Sequence, residues 1–163
     1  MSITYVGIVS DSHGRLDNMK RMAAHCPDVA AWIHAGDYCE DSKALEAYAG
    51  VPVYAVRGNN DFVCRPWPDQ RCIDIAGVTI FVTHGHQWYG ESRRRHLLAL
   101  GQAQGASLVV FGHSHRKFLE TVQGIWLVNP GSISLPRDSR QGTYGICTIE
   151  NGHIKDVKLY QVT

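Results

Sequence analysis

Five apolar, β-branched runs in this chain each end in a short cluster of Asp, Asn or His with a glycine among them. The run ending at Val9 leads into Ser10-Asp11-Ser12-His13-Gly14, and the run ending at Ile33 leads into His34-Ala35-Gly36-Asp37. Val51–Val56 is followed by Arg57-Gly58-Asn59-Asn60-Asp61, Val78–Val82 by Thr83-His84-Gly85-His86, and Ser107–Phe111 by Gly112-His113-Ser114-His115. In α/β sheets, ligands bind outside the carboxyl ends of the strands. Glycine lets the chain turn sharply there and lets backbone approach a bound ion or phosphate. A carboxylate can bridge two cations, and imidazole suits transition metals better than magnesium or calcium. The mixed donor set therefore points to a two-metal site, with ions about 3.5–4 Å apart that clamp both oxygens of a phosphoryl displacement.

The segments around these clusters predict the fold. Strands are expected at Ile3–Val9, Ala30–Ala35, Val51–Val56, Cys72–Ile75, Val78–Thr83 and Leu108–Phe111, and helices over Arg15–His25, Ser42–Ala49 and Ser92–Gln104. Gly58–Gln70, with two prolines, reads as a loop. The last third holds four more strands, at Phe118–Val122, Ile125–Val128, Tyr144–Glu150 and His153–Tyr160. Asn151-Gly152 marks a hairpin between the final two. A βαβαβ start followed by a strand-rich return, without crossover helices, predicts an α/β two-sheet sandwich (αββα). Its helices cover both outer faces. At 163 residues the chain is expected to form a single domain, 1–163.

Composition excludes several function classes. Sixteen Lys and Arg against fifteen Asp and Glu leave a net charge of +1, too little for a broad nucleic-acid-binding surface. No apolar run approaches the roughly 20 residues of a membrane span. The N-terminus lacks the basic segment of a secretory signal. The five cysteines are odd in number and form no CxxC pair, which suits free thiols in a reducing cytoplasm. Nine histidines are present, and five of them, His13, His84, His86, His113 and His115, cluster at three strand ends.

Taken together, Asp11-x-His13, Gly36-Asp37, Gly58-Asn59-Asn60-Asp61, His84 with His86, and Gly112-His113-x-His115 resemble the motifs of the calcineurin-like metallophosphoesterases. The likeness extends through Asn129-Pro130-Gly131-Ser132. The short length and the Thr-His-Gly-His form are similar to the small bacterial and archaeal YfcE-type phosphodiesterases. The resemblance implies a first metal held by Asp11, His13 and His115, a second held by Asn59, His84 and His113, and Asp37 bridging them. It implies two divalent transition-metal ions, manganese first among nickel, zinc, iron and cobalt. It also implies a metal-bridging hydroxide that attacks a small phosphodiester substrate in line.

One position departs from the family pattern. Where the motif often carries a proton-donating histidine, this chain has Asn60, whose carboxamide is no general acid, although members of the small subgroup also lack histidine there. Two consequences stay open: a preference for good leaving groups, or protonation by His86, which alternatively acts only as a hydrogen-bond donor to the site. Asp37, Asn59 and His86 are thus the catalytic candidates, and Asn60, Arg15 and Arg116 the substrate-binding ones. Arg57 and Arg65 also lie beside motifs, and Asp61 reads as an anchor for the Asn59 turn. Arg93-Arg94-Arg95 reads as a solvated helix face, and Tyr38, Trp88 and Tyr89 as wall or rim. Ser132 and Arg137 read as loop support for the site. The alternatives to a phosphodiesterase are a phosphomonoesterase or nucleotide hydrolase, and a non-catalytic protein-binding scaffold. Competent residues at every ligand position favour catalysis. Homo-oligomerisation is left open.

Overall fold

The computed structural model of the chain describes residues 2–38, 40–59, 61 and 67–163. Ten strands and three helices follow in the order β1 (Ile3–Val9), α1 (Asp17–His25), β2 (Val29–His34), α2 (Asp41–Ala49), β3 (Val53–Ala55), β4 (Gln70–Ile75), β5 (Val78–Thr83), α3 (Gly90–Gln104), β6 (Leu108–Val110), β7 (Lys117–Val122), β8 (Ile125–Pro130), β9 (Thr143–Glu150) and β10 (His153–Gln161). They form two five-stranded mixed sheets, ordered β10-β9-β1-β2-β3 and β4-β5-β6-β8-β7. Within them β1, β2 and β3 run parallel, as do β5, β6 and β8.

Side-chain alternation explains the layering. Val6 and Ile8 of β1 point into the space between the sheets, where they meet Ile33 and Val56 from their own sheet and Ile80, Val82, Leu108 and Val110 from the other. Val9, the next residue along, packs outward with Met19, Met22 and Leu45 of α1 and α2 and with Trp32. Gly7 also faces outward, and a Cβ there would collide with the Trp32 ring. On the far side, Phe81, Val109 and Leu127 pack under Leu97 of α3. Fully burying one such side chain contributes about 1.5–3 kcal/mol, so three stacked apolar layers hold the sandwich together. Cys26, Cys72 and Cys147 are unpaired thiols. No helix among the described residues is long and apolar enough to cross a membrane.

Most element boundaries shift by one or two residues from the sequence expectation, and two of the shifts have a visible cause. Helix α1 begins at Asp17 rather than Arg15, because Gly14 takes φ +75° and the Arg15 amide closes a turn on the Ser12 carbonyl at 3.0 Å. Strand β3 keeps only Val53–Ala55 of the run Val51–Val56, since Pro52 has no amide to donate and only its carbonyl takes part, accepting from Trp32 at 3.0 Å. The expected hairpin at Asn151-Gly152 is present, with both residues at positive φ.

The topology brings the carboxyl ends of six parallel strands to one edge of the sandwich. Three come from each sheet, and five of the six lead into the ligand-bearing clusters.

Candidate metal centre

Each cluster is shaped by backbone before its side chains are placed. Asp11, His13, Asp37, His113 and His115 all lie at positive φ, between 51° and 76°. That conformation costs an ordinary residue roughly 1–2 kcal/mol. Among the described residues, nine non-glycine residues adopt it; five are ligand candidates and a sixth, Tyr38, adjoins one. Such concentration of backbone strain marks a functional site.

The side chains converge. Ligand atoms of Asp11, His13, Asp37 and His115 all lie within 4.8 Å of one another. His13 Nε2 is 3.1 Å from His115 Nε2 and 3.7 Å from Asp37 Oδ2. On the other side, His84 Nε2 is 3.4 Å from Asp37 Oδ1 and 3.8 Å from Asp11 Oδ1. The His113 ring stands edge-on to His84, with centroids 5.3 Å apart. Asp37 therefore has one oxygen toward each histidine group, and is itself only 2% exposed. Asn59 lies in an exposed turn that packs on Asp37 through Gly58, where a Cβ would strike Asp37 Oδ1. Asp61 closes that turn by accepting the Gly58 amide at 2.7 Å, the anchoring role its position suggests.

Hydrogen bonds set the imidazole tautomers. His84 Nδ1 donates to the Ala35 carbonyl at 2.7 Å, and His115 Nδ1 donates to the Leu135 carbonyl at 2.8 Å. In the neutral rings, Nε2 then carries the lone pair and faces the cluster. This is the usual arrangement of a metal-binding histidine. Asp11 divides its oxygens in the same way. Its Oδ2 accepts from Ser10 Oγ at 2.7 Å and from the His113 amide at 3.1 Å, while Oδ1 is buried without a hydrogen bond. His84 Nε2 is likewise buried without one. An unpaired buried polar group costs about 1–3 kcal/mol, so these atoms and the donor set fit divalent cations.

Burial opposes charge throughout the site, and the local partners decide the outcome. Burial works to raise the Asp11 pKa, but His115, His84 and the Ser10 hydroxyl outweigh it and hold the carboxyl below its ordinary range. Burial pushes His13 and His113 down, keeping them neutral and able to bind metal. His84 moves up because the Asp37 and Asp11 carboxylates overcome its burial.

Residues outside the ligand set hold the loops together. His34 is fully buried; its Nδ1 accepts the Gly36 amide at 3.2 Å and its Nε2 lies 2.9 Å from Ser12 Oγ. One imidazole thereby joins the Asp11 loop to the Asp37 loop. Asn129 donates to the Gly112 carbonyl at 3.0 Å and to Ser114 Oγ at 3.1 Å, and Ser132 Oγ donates to the Asp11 carbonyl at 2.7 Å. Arg137 supports the same region through its amide, which bonds the His115 carbonyl at 2.9 Å.

The remaining candidates divide. Arg116 is exposed beside His115, and Arg15 is exposed beside Gly14, on a cavity of about 520 Å³ that Ser134 also lines. Asn60 and Arg65 lie outside the described residues. Arg57 is held by Asp69 at 2.9 Å. Arg93 is not a solvated residue as its run suggests. It is half-buried, and its Nε donates to the Gly85 and Trp88 carbonyls, both at 3.0 Å. His86 is half-buried beside His84, ring centroids 5.5 Å apart, with Nδ1 buried and unbonded. Tyr38 flanks His13 at 5.3 Å, and Trp88 stacks on His96 at 4.9 Å.

Metal binding should be visible in stability. Adding Mn²⁺ or Zn²⁺ to chelator-treated protein, at about 100 times its Kd, is expected to add about 2.7 kcal/mol. For a chain of this size, that raises Tm by roughly 5–10 °C. A calorimetric trace unmoved by either ion would contradict the assignment.

The comparisons with known proteins agree with this geometry. A family model described as the calcineurin-like phosphoesterase superfamily domain matches residues 5–152. The chain is 36% identical over 147 residues to the probable metallophosphoesterase YsnB of Bacillus subtilis, covering 88% of this chain and 83% of that one. It is 27% identical over 143 residues to the phosphodiesterase MJ0936 of Methanocaldococcus jannaschii, covering 77% and 82% respectively. Among solved structures, a Streptococcus pneumoniae protein described as a predicted phosphoesterase superposes with a TM-score of 0.81 at 26% identity, over 99% of this chain and 91% of that one.

Proposed function

This chain belongs to the calcineurin-like phosphoesterase superfamily, and from that premise we propose that it is a dinuclear, metal-dependent phosphodiesterase. The observation that carries the reading is the position of Asp37 between two histidine groups, 3.7 Å from His13 and 3.4 Å from His84. Asp11, His13 and His115 would hold one ion, Asn59, His84 and His113 the other, and Asp37 both. Manganese is the first choice of metal, with nickel, zinc, iron or cobalt as substitutes. When bound, such a pair lowers the pKa of water to near neutral and offsets phosphoryl charge. The chain's own contribution is orientation: Ala35 and Leu135 carbonyls fix two imidazoles, and Ser10 fixes Asp11. Arg15 and Arg116 flank the cluster and suit phosphate oxygens. The unpaired thiols support a cytoplasmic setting.

The test is a matched pair of aryl esters on metal-loaded protein. Bis(4-nitrophenyl) phosphate is expected to turn over faster than 4-nitrophenyl phosphate. A monoester preference would favour the phosphomonoesterase reading instead, and no turnover with any metal would favour a scaffold.

We propose that His86 protonates the leaving group, because its half-buried ring adjoins that of His84, with centroids 5.5 Å apart. General acid assistance is typically worth about 10²–10⁴-fold. His86→Ala should therefore lose about that factor on diesters with alkoxide leaving groups and far less on nitrophenyl esters. Equal losses on both would leave His86 as a loop-holding residue only.

A further inference from the structure

Between the start of α3 and the start of β7 lies a cavity of about 320 Å³ that the reading above does not use. That volume falls at the lower end of small-molecule sites. Its floor is apolar: Leu97 and Leu127 are fully buried, Phe111 nearly so, and Phe118 stands exposed as a wall with its ring 5.8 Å from that of Phe111. Its rim is cationic. Arg93, Arg94, Arg116 and Lys117 line it against one carboxylate, Glu91.

The ion pairs decide which of those charges remain. Arg94 pairs with Glu120 at 2.6 Å and Glu91 at 3.2 Å, and a third carboxylate, Asp138, accepts the Lys117 backbone amide at 2.7 Å. Arg93 is turned to the Gly85 and Trp88 carbonyls, which do not neutralise it. The side chains of Arg93, Arg116 and Lys117 make no ion pair among the described residues. A pocket with an aromatic wall and a cationic rim led by Arg93 and Arg116 matches a flat apolar body that carries its own negative charge.

The pocket also adjoins the candidate metal centre. Ser114, which lines it, lies between His113 and His115, and Asn129 holds its hydroxyl at 3.1 Å. Arg93, on the opposite wall, grips the carbonyl of Gly85 between His84 and His86 at 3.0 Å. Ser114 and Arg93 thus join the cavity wall to the two loops that carry those histidines.

We propose that this cavity seats the organic group of the substrate, an aromatic ring bearing a second anionic substituent and esterified to the phosphate. The proposal rests on the phosphodiesterase reading for its kinetic arm. Three esters with one leaving group test it on metal-loaded protein: methyl, phenyl and 3-carboxyphenyl 4-nitrophenyl phosphate. KM is expected to fall along the series, the last step by about tenfold, as one charge-assisted hydrogen bond implies. Arg116→Glu should erase that last step, and Arg116→Lys should restore most of it. Equal KM values for all three esters would overturn the cavity assignment and leave the phosphodiesterase reading standing.

A binding arm needs no turnover. Benzene-1,3-dicarboxylate titrated into metal-free protein is expected to shift the methyl resonances of Leu97 and Leu127, and Arg116→Glu should weaken that binding about tenfold. Unmoved methyls, or equal binding by the variant, would overturn the assignment whether or not any ester is hydrolysed.

Discussion

Asp37→Asn is expected to lower kcat/KM on bis(4-nitrophenyl) phosphate by at least about 10³-fold, with the fold retained. Asparagine keeps the shape of aspartate and tolerates the left-handed backbone at φ 58°, so charge is the main variable. The two carboxylate oxygens face His84 and His13 at 3.4 and 3.7 Å, and a carboxamide presents only one oxygen with weaker donation. Metal pairs contribute several kcal/mol of transition-state charge stabilisation. About 4 kcal/mol corresponds to about 10³-fold in rate. Bound metal, measured by atomic absorption after dialysis, should fall from two ions per chain to one or none. Asp37→Ala should lose at least as much activity. Activity of Asp37→Asn within tenfold of the parent chain, with stoichiometry intact, would rule out the bridging role.

Much of this site was legible because its chemistry is local in sequence. Each cluster follows its own strand, and parallel strands within a sheet bring successive clusters to the same edge. Asp11 and Asp37 needed only that β1 and β2 pair in parallel, with Val9 opposite His34. His84 and His113 needed β5 beside β6, with Val82 opposite Val110. The αββα layering followed from alternation, since Val6 and Ile8 on one face and Val9 on the other require cover on both sides.

Long-range geometry was not legible in the same way. His34 looks like an ordinary strand residue until β1 places Ser12 at 2.9 Å from its ring. Arg93 sits in a run of three arginines that suggests a solvated face, yet the return of the Gly85 turn against α3 captures its Nε. The cavity beside it forms where α3 and β7, separated in sequence by β6, border the same outer face. The backbone strain was hidden as well. Sequence marks glycine as the residue for positive φ, but here Asp11, His13, Asp37, His113 and His115 adopt it. At roughly 1–2 kcal/mol each, that strain is held by surrounding packing and hydrogen bonds, such as those from Ser132 to the Asp11 carbonyl and from the Arg137 amide to the His115 carbonyl.

Gly112→Ala is expected to be a severely damaging single-methyl change at the site, through collision rather than conformation. Gly112 is not among the positive-φ glycines. A Cβ there would strike Ser10 Oγ and lie 2.7 Å from Asp11 Oδ2 and 3.2 Å from Ser10 Cβ. Ser10 is fully buried and has nowhere to swing. The Gly112 loop cannot readily retreat, because its amide bonds the His84 carbonyl and its own carbonyl accepts from Asn129, both at 3.0 Å. Relief must therefore come from Asp11, which loses its 2.7 Å bond from Ser10 and its 3.1 Å bond from the His113 amide. Overpacking of this kind costs about 1–3 kcal/mol in stability. Losing the groups that orient a metal ligand typically costs about 10–100-fold in affinity or activity. Metal affinity and kcat/KM should fall together, toward the upper end of that range. Ser10→Ala removes the hydroxyl that the new methyl meets first, so Gly112→Ala should do markedly less harm in that background. A double-mutant cycle measures this directly. If the two effects simply add, Ser10 is not the point of collision, and the packing account of this motif glycine is wrong.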